Sequence, residues 1–235
     1  MKIISLLLAT ATCSAALVPE RSAPASESSC MTVSPLVNLD ITEYIRASWF
    51  SQQQQVTSYL PTTEDYCVSA TYRAEGATVP DFTGTVLSVY NYANNFTVNG
   101  PATNNFTANG NGTVLCARLP DANITGGLEV APCSLPNAYA GDYWVVAIGE
   151  NATTQSYEWA LISGGQPSIE QSDGLCTTEI GSYLGGLWIF TRATVADNAT
   201  IAAARAAANA LGISTSQLID VEQAGCKYEG ALIVQ

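Results

Sequence analysis

The segment Asp142–Arg192 decides the fold because it contains three short strand-like runs in succession. These runs are Asp142–Ile148 (DYWVVAI), Ser156–Ser163 (SYEWALIS) and Gly186–Arg192 (GLWIFTR). Each run is rich in aromatic and β-branched residues, and residues typical of turns, such as Gly, Asn and Ser, lie in the gaps. The pattern predicts antiparallel strands rather than strands that alternate with helices.

Similar runs continue toward the N-terminus of the chain. We identify five of them: Ser48–Tyr59, Tyr66–Arg73, Thr83–Tyr92, Gly112–Leu119 and Gly127–Cys133. Together with the three later runs they make eight, and Gly, Pro, Asn and Asp separate them. Regular spacing of this kind predicts one all-β barrel or sandwich.

One α-helix is expected after the last strand. The alanine-rich stretch Thr200–Leu211 has a high helix propensity, and Gly212 stands where a helix commonly ends. Thr194 is the predicted N-cap, with Asp197 at the third helical position. Because the large apolar residues form only a narrow stripe, the helix is expected to pack on the outside of the sheet.

The N-terminus has the pattern of a secretory signal peptide, which we assign to residues 1–16. Lys2 precedes the apolar run Ile3–Leu8, and small residues follow as far as Ala16. Residues 17–37 are rich in Ser and Pro and are interpreted as an arm, and residues 38–235 as the folded domain. The protein is therefore expected to be secreted, with no integral membrane segment in the mature chain.

Cysteine usage agrees with export. Of seven cysteines, Cys13 lies in the predicted signal peptide and six remain. An even number in a secreted chain indicates three disulfides, for which fifteen pairings are possible. A zinc site is the competing interpretation, but the sequence has no Cys-x-x-Cys motif and no histidine to complete one.

The sequence also has six Asn-x-Ser/Thr sequons, which would accept N-linked glycans in the secretory lumen. Their asparagines are Asn95, Asn105, Asn111, Asn123, Asn151 and Asn198.

Composition excludes several classes of function. The chain has 235 residues, a formal net charge of -12 and no histidine. The negative charge argues against nucleic acids as partners, because they bind clustered cations. Without histidine, the common Ser-His-Asp and Cys-His nucleophiles and histidine-ligated metals are excluded. We predict no catalytic residues, no metal and no cofactor, and no pattern indicates an oligomeric state.

Four motifs resemble signatures of the lipocalin family. Asn38–Phe50 (NLDITEYIRASWF) is similar to the first signature, with Trp49 as its tryptophan. Asp142–Ala147, Tyr157–Gly165 and Gly186–Arg192 resemble the sixth, seventh and eighth strands of the family. The resemblance implies an eight-stranded antiparallel up-and-down barrel with one C-terminal α-helix packed outside. It also implies that Arg192 packs across Trp49 at the closed base of the barrel.

Within the family, the chain is most similar to the branch of apolipoprotein D and the bacterial lipocalins. Cys67 stands where that branch has a cysteine paired to the C-terminal tail, which implies the disulfide Cys67–Cys226. The other pairs implied on this basis are Cys30–Cys176, between the arm and the long connection before the last strand, and Cys116–Cys133, between neighbouring strands.

The family resemblance implies a function in binding. A lipocalin barrel holds one small hydrophobic ligand, such as a lipid, sterol, retinoid, carotenoid or bilin. Two alternatives remain: an extracellular coat or adhesion glycoprotein without a ligand, and a lipocalin-like carotenoid-modifying enzyme. The candidate pocket residues are taken from the strands: Val68, Ala70, Tyr72, Val86, Tyr90, Val145 and Trp159.

Overall fold

The computed structural model describes residues 30–74, 77–104, 114–179 and 185–235. The predicted signal peptide, the first part of the arm, Asn105 and Asn111 lie outside these residues. Among the helices in the described ranges, none has the length and apolar character needed to cross a membrane.

The described residues form twelve strands and two α-helices. The strands are β1 (Trp49–Gln55), β2 (Tyr66–Arg73), β3 (Thr85–Asn94), β4 (Ala102–Asn104), β5 (Leu115–Leu119), β6 (Gly127–Pro132), β7 (Gly141–Glu150), β8 (Tyr157–Ser163), β9 (Ile169–Glu170), β10 (Cys176–Thr177), β11 (Leu187–Thr191) and β12 (Leu218–Asp220). The helices are α1 (Ile41–Ile45) and α2 (Asn198–Ala210), and single 3₁₀ turns lie at Thr62–Glu64 and Asn137–Tyr139.

Eight of the strands close into a barrel. The antiparallel order is β1, β2, β3, β5, β6, β7, β8 and β11, and β11 pairs with β1 to complete the circle. Short β4 extends β3, while β9 and β10 form a separate hairpin. The predicted eight-stranded barrel with a helix outside is therefore confirmed.

The seam between β1 and β2 is completed by the C-terminal segment. β1 pairs with β2 through its first two residues, and Gln53–Gln55 then pairs with β12 instead. Just after β12, Gln223 donates hydrogen bonds from Nε2 to the carbonyl oxygens of Ser51 (2.6 Å) and Val68 (2.8 Å). One side chain thus joins the two barrel strands where their own pairing is interrupted.

Two apolar clusters stabilise the barrel, one on each side of the sheet. The interior cluster contains Trp49, Leu87, Ala160 and Ile162, among others. The outer cluster lies between the sheet and α2, and it includes the buried alanines of the helix, Ala204 and Ala208. Because α2 covers part of the sheet, strands β7, β8 and β11 carry apolar residues on both faces.

Helix α2 begins three residues later than the proposed Thr194 cap would place it. Its N-cap is Asp197, whose side chain accepts a hydrogen bond from the Thr200 amide at 2.7 Å. The carbonyls of Ala193 and Thr194 instead accept hydrogen bonds from the side-chain amide of Gln52. At the other end, Gly212 has a φ of 77° and completes the helix terminus as expected.

Three disulfides join distant parts of the chain: Cys30–Cys176, Cys67–Cys226 and Cys116–Cys133. These are the pairs that the lipocalin resemblance implied. The first holds residues 30–37 against the barrel, where Leu36 exchanges backbone hydrogen bonds with Val145 and Gly126. This described part of the arm is therefore packed on the barrel.

Candidate functional site

A cavity of about 590 Å³ occupies one half of the barrel. It lies toward the end where β1 connects to β2 and β6 connects to β7. Its lining is mostly apolar and aromatic, and includes Val68, Ala70, Tyr72, Val89, Tyr92, Leu115, Val130, Tyr139, Tyr143, Trp188 and Phe190. Pockets that bind small hydrophobic molecules have this volume and character.

The polar groups of the cavity are few and lack cations. Gln54, Glu64, Asn91, Thr103 and Asp142 supply polar lining. Within the described part of the chain, no Lys or Arg side chain lines the cavity. The charged side chains in the described lining are therefore both carboxylates, Glu64 and Asp142.

Three tyrosine hydroxyls meet at the inner end of the cavity. Tyr143 shares hydrogen bonds of 2.7 Å with Tyr44 and with Tyr72. Tyr72 and Tyr143 line the cavity, whereas Tyr44 belongs to α1 and is fully buried. We call these three residues the tyrosine floor.

The tyrosine floor stays protonated because water is excluded from it. Desolvation raises the pKa of Tyr72 to about 12. Burial raises the pKa values of Tyr44 and Tyr143 well above the usual value for tyrosine, and neighbouring phenols add to both shifts. The floor therefore presents neutral hydroxyl groups at physiological pH.

Below the tyrosine floor, Arg192 and Trp49 close the barrel. The guanidinium carbon of Arg192 lies 3.5 Å from the centre of the Trp49 ring, the packing that the resemblance implied. The indole nitrogen of Trp49 donates to the Tyr44 carbonyl at 2.9 Å. Because α1 covers these side chains, the cavity is closed at this end.

Arg192 is held by backbone carbonyl groups. One nitrogen, Nη2, donates to Glu43 (2.8 Å) and Tyr44 (2.9 Å), and Nη1 donates to Ala47 and Ser48. Burial lowers the pKa of this guanidinium to about 10, so it remains charged at neutral pH. The positive charge of Arg192 is stabilised by carbonyl oxygens at the closed end, and Arg192 does not line the cavity.

Solved structures share this architecture at low sequence identity. Apocrustacyanin C2 is 13% identical, with a TM-score of 0.50 over 86% of this chain and 96% of that one. Apocrustacyanin A1 from lobster is also 13% identical, with a TM-score of 0.51 over 86% and 96%. The allergen Per a 4 from cockroaches is 16% identical, with a TM-score of 0.50 over 84% and 97%. The chain has the lipocalin fold. No protein-family model and no curated protein sequence matches it.

Three of the seven predicted pocket residues line the cavity of this lipocalin-fold barrel. Val68, Ala70 and Tyr72 are alternate residues of β2, and all three face inward. These three residues alternate with partly polar neighbours along β2, and this alternation predicted which face of the strand lies inward.

Two predictions on β3 were wrong by one residue. Val86 and Tyr90 do not line the cavity, and the inward-facing residues of this strand include Leu87 and Val89. Apolar residues occur on both faces of β3, so its alternation does not identify the inner face. A shift of one residue then exchanges the two faces.

Val145 and Trp159 are also corrected. Val145 faces the interior but is fully buried in the core, outside the cavity lining. Trp159 packs with the outer cluster under α2, and its indole lies across Gly149, where a Cβ atom would come within 1.8 Å of it. The strand was assigned the wrong face because the helix makes both of its faces apolar.

Several lining residues that the lipocalin fold brings together were not predicted from the sequence. Trp188 and Phe190 come from β11, Tyr143 from β7 and Gln54 from β1. Aromatic residues at alternate positions of Gly186–Arg192 were a usable signal for the first two. Gln54 had no such signal, since a glutamine in a polar run is ordinarily expected on the outside.

Proposed function

We propose that this protein is a secreted lipocalin that binds and carries or sequesters one small hydrophobic molecule inside its barrel. The observation that carries the proposal is the cavity of about 590 Å³, with its mostly apolar and aromatic lining. A lipid, sterol, retinoid, carotenoid or bilin would gain binding free energy by leaving water for such a lining. The architecture shared with the solved structures supports the fold, and a binding assay identifies the ligand.

The proposed role is binding without a chemical change. Val68, Ala70, Trp188 and Phe190 provide contact surface rather than nucleophiles. Recovery of the bound ligand with unchanged mass after prolonged incubation would agree with this role. A changed mass would favour the alternative of a modifying enzyme, and Glu64 and Asp142 are the carboxylates in the cavity to substitute first.

Secretion, glycosylation and the family branch belong to the same proposal. Three disulfides suit an oxidising compartment. Asn123 and Asn198 are exposed sequon residues and are the sites where we expect glycans. The Cys67–Cys226 pair supports membership of the branch of apolipoprotein D and the bacterial lipocalins.

Tryptophan fluorescence tests the binding proposal directly. Trp188 lines the cavity, whereas Trp159 packs on the outside of the sheet, so their substitutions form a matched pair. We expect a panel of fatty acids, sterols and carotenoids to contain ligands that quench the fluorescence at micromolar concentration. Trp188→Phe should reduce the quenching amplitude more than Trp159→Phe does.

Failure of every ligand to quench, together with no lipid in extracts of the purified protein, would overturn the proposal. The coat or adhesion glycoprotein would then be the better explanation of a barrel with exposed sequons.

A further inference from the structure

The tyrosine floor contains more hydroxyl protons than internal hydrogen bonds. Its three hydroxyls carry three protons, and two hydrogen bonds join them through Tyr143. These two hydrogen bonds use two of the protons, and the third is available to an acceptor in the cavity. A buried donor without an acceptor is costly, so this proton requires a partner.

The positions of the three tyrosine rings determine which acceptors the remaining hydroxyl proton can reach. Tyr44 is the fully buried residue of α1, and its ring centre lies 5.2 Å from that of Trp49 and 5.6 Å from that of Tyr72. Tyr72 and Tyr143 line the cavity. If Tyr44 donates to Tyr143, the remaining proton belongs to Tyr72 or Tyr143, the two members of the tyrosine floor that line the cavity.

The charged side chains that line the cavity determine which kind of ligand atom can accept the remaining tyrosine proton. Glu64 and Asp142 line the cavity, and the described lining has no cation to offset an anionic ligand. Two nearby arginines are engaged elsewhere: Arg192 donates to backbone carbonyls at the closed end, and the buried Arg118 donates to the carbonyls of Ala131 and Pro132. An ionised carboxylate would therefore lose its hydration without gaining an ion pair, which is unfavourable.

We propose that the cavity selects neutral hydrophobic ligands that carry a hydroxyl or carbonyl oxygen at one end, and that this oxygen accepts a hydrogen bond from Tyr72 or Tyr143. The inference rests on the proposed function, since it concerns the same cavity. It narrows the ligand class, because it favours alcohols, ketones and aldehydes over fatty acids and pure hydrocarbons. The ligand oxygen supplies the acceptor that the remaining hydroxyl proton of the tyrosine floor requires.

Three probes with one carbon skeleton separate these classes. They are all-trans-retinol, all-trans-retinoic acid at pH 8, and the hydrocarbon in which a methyl group replaces the CH₂OH of retinol. With the unmodified protein, we expect retinol to bind at least tenfold more tightly than ionised retinoic acid. Equal affinity for retinol and retinoic acid would overturn the inference.

The variant Tyr44→Phe/Tyr72→Phe/Tyr143→Phe tests the tyrosine floor itself. Replacing all three hydroxyls leaves no buried donor without a partner, so the fold should be retained. Retinol affinity should fall about tenfold, as expected for the loss of a buried hydrogen bond, while hydrocarbon affinity changes less than twofold. Equal losses for the two probes would overturn the inference.

Tyr139→Phe is the matched control, because Tyr139 lines the same cavity but is largely exposed. It should leave the ratio of retinol to hydrocarbon affinity unchanged.

If the triple variant does not fold, the comparison of probes with the unmodified protein still decides the inference. If none of the three probes binds the unmodified protein but another ligand of the fluorescence panel does, the inference fails and the proposed function stands; if no ligand of the panel binds and extracts contain no lipid, both fail. Binding of all three with equal affinity overturns the inference alone.

Discussion

Arg192 stabilises the closed end of the barrel through hydrogen bonds to backbone carbonyl oxygens. It reaches Glu43 and Tyr44 in α1 and the residues that lead into β1, and it covers the ring of Trp49. A guanidinium suits this place because its fixed fork of donors serves several acceptors at once. The position of one side chain thus couples the last barrel strand to the first.

Replacing Arg192 with Met should lower the free energy of unfolding by about 3 kcal/mol, because several carbonyls lose their donor. Urea denaturation followed by tryptophan fluorescence measures the change. Arg46→Met is the control, since Arg46 forms a partly exposed ion pair with Glu43 at 2.7 Å and should contribute less than about 1 kcal/mol. Similar losses in the two variants would contradict the role given to Arg192.

Strand β1 contains four consecutive glutamines, Gln52–Gln55, and all of them are buried. Each side-chain amide has partners: for example, Gln53 bonds to Asp220 at 2.6 Å and Gln55 accepts from Thr177 at 3.1 Å. Most partners lie far along the chain, in β12, in the connection before β11 or just after β11, whereas Gln54 bonds to the nearer Asp65. Local sequence therefore cannot predict that this polar run is interior, because the compensating groups are distant.

The strands themselves were predictable because turn residues mark their ends. The eight long runs and α2 were found in order, whereas short β4, β9, β10 and β12 were missed as defined strands. These short elements depend on pairing with distant segments rather than on their own propensity. The face of β2 was predictable from alternation, but the faces of β3 and β8 were not, since apolar residues occupy both sides.

A substitution at the N-terminus of α2 tests the assignment of Asp197 as the N-cap of the helix. Asp197→Ala should lower the melting temperature by about 2–4 °C, because the amide of Thr200 loses its acceptor. Thr194→Ala is the matched control and should leave the melting temperature unchanged. Circular dichroism during heating measures both.

The pH dependence of this effect has a definite sign. Hydrogen bonds from Thr200 lower the pKa of the Asp197 carboxyl from its usual 3.8. A lowered pKa in the folded state means that the stabilisation is present above pH 3.8 and is lost as the pH falls through the folded-state pKa. The difference between the native protein and Asp197→Ala should therefore shrink as the pH falls below 3.8. A constant difference at all pH values would contradict the charge-assisted cap.

At the scale of the whole molecule, the disulfides stabilise the fold to different extents. Cys67–Cys226 joins residues 159 positions apart, whereas Cys116–Cys133 joins residues only 17 apart. A longer closed loop removes more conformational freedom from the unfolded chain. The long disulfide also holds the C-terminal segment beside β2.

Cys67→Ala/Cys226→Ala should lower the free energy of unfolding by about 4 to 5 kcal/mol, and Cys116→Ala/Cys133→Ala by about 3 kcal/mol. Urea denaturation of both double variants under non-reducing conditions provides the comparison. A larger loss for the short loop would show that local packing, rather than loop length, sets the contribution.

The seam between β1 and β2 has a consequence for protein synthesis. Gln53 in β1 bonds to Asp220, which is 167 residues later. At about 5–20 residues per second, the ribosome needs roughly 10 to 30 s to deliver that partner after β1 has emerged. Throughout that interval β1 has an unpaired edge, so the nascent chain is most exposed to aggregation before residue 220 appears. A chaperone that binds extended segments would be most useful to this protein in that interval.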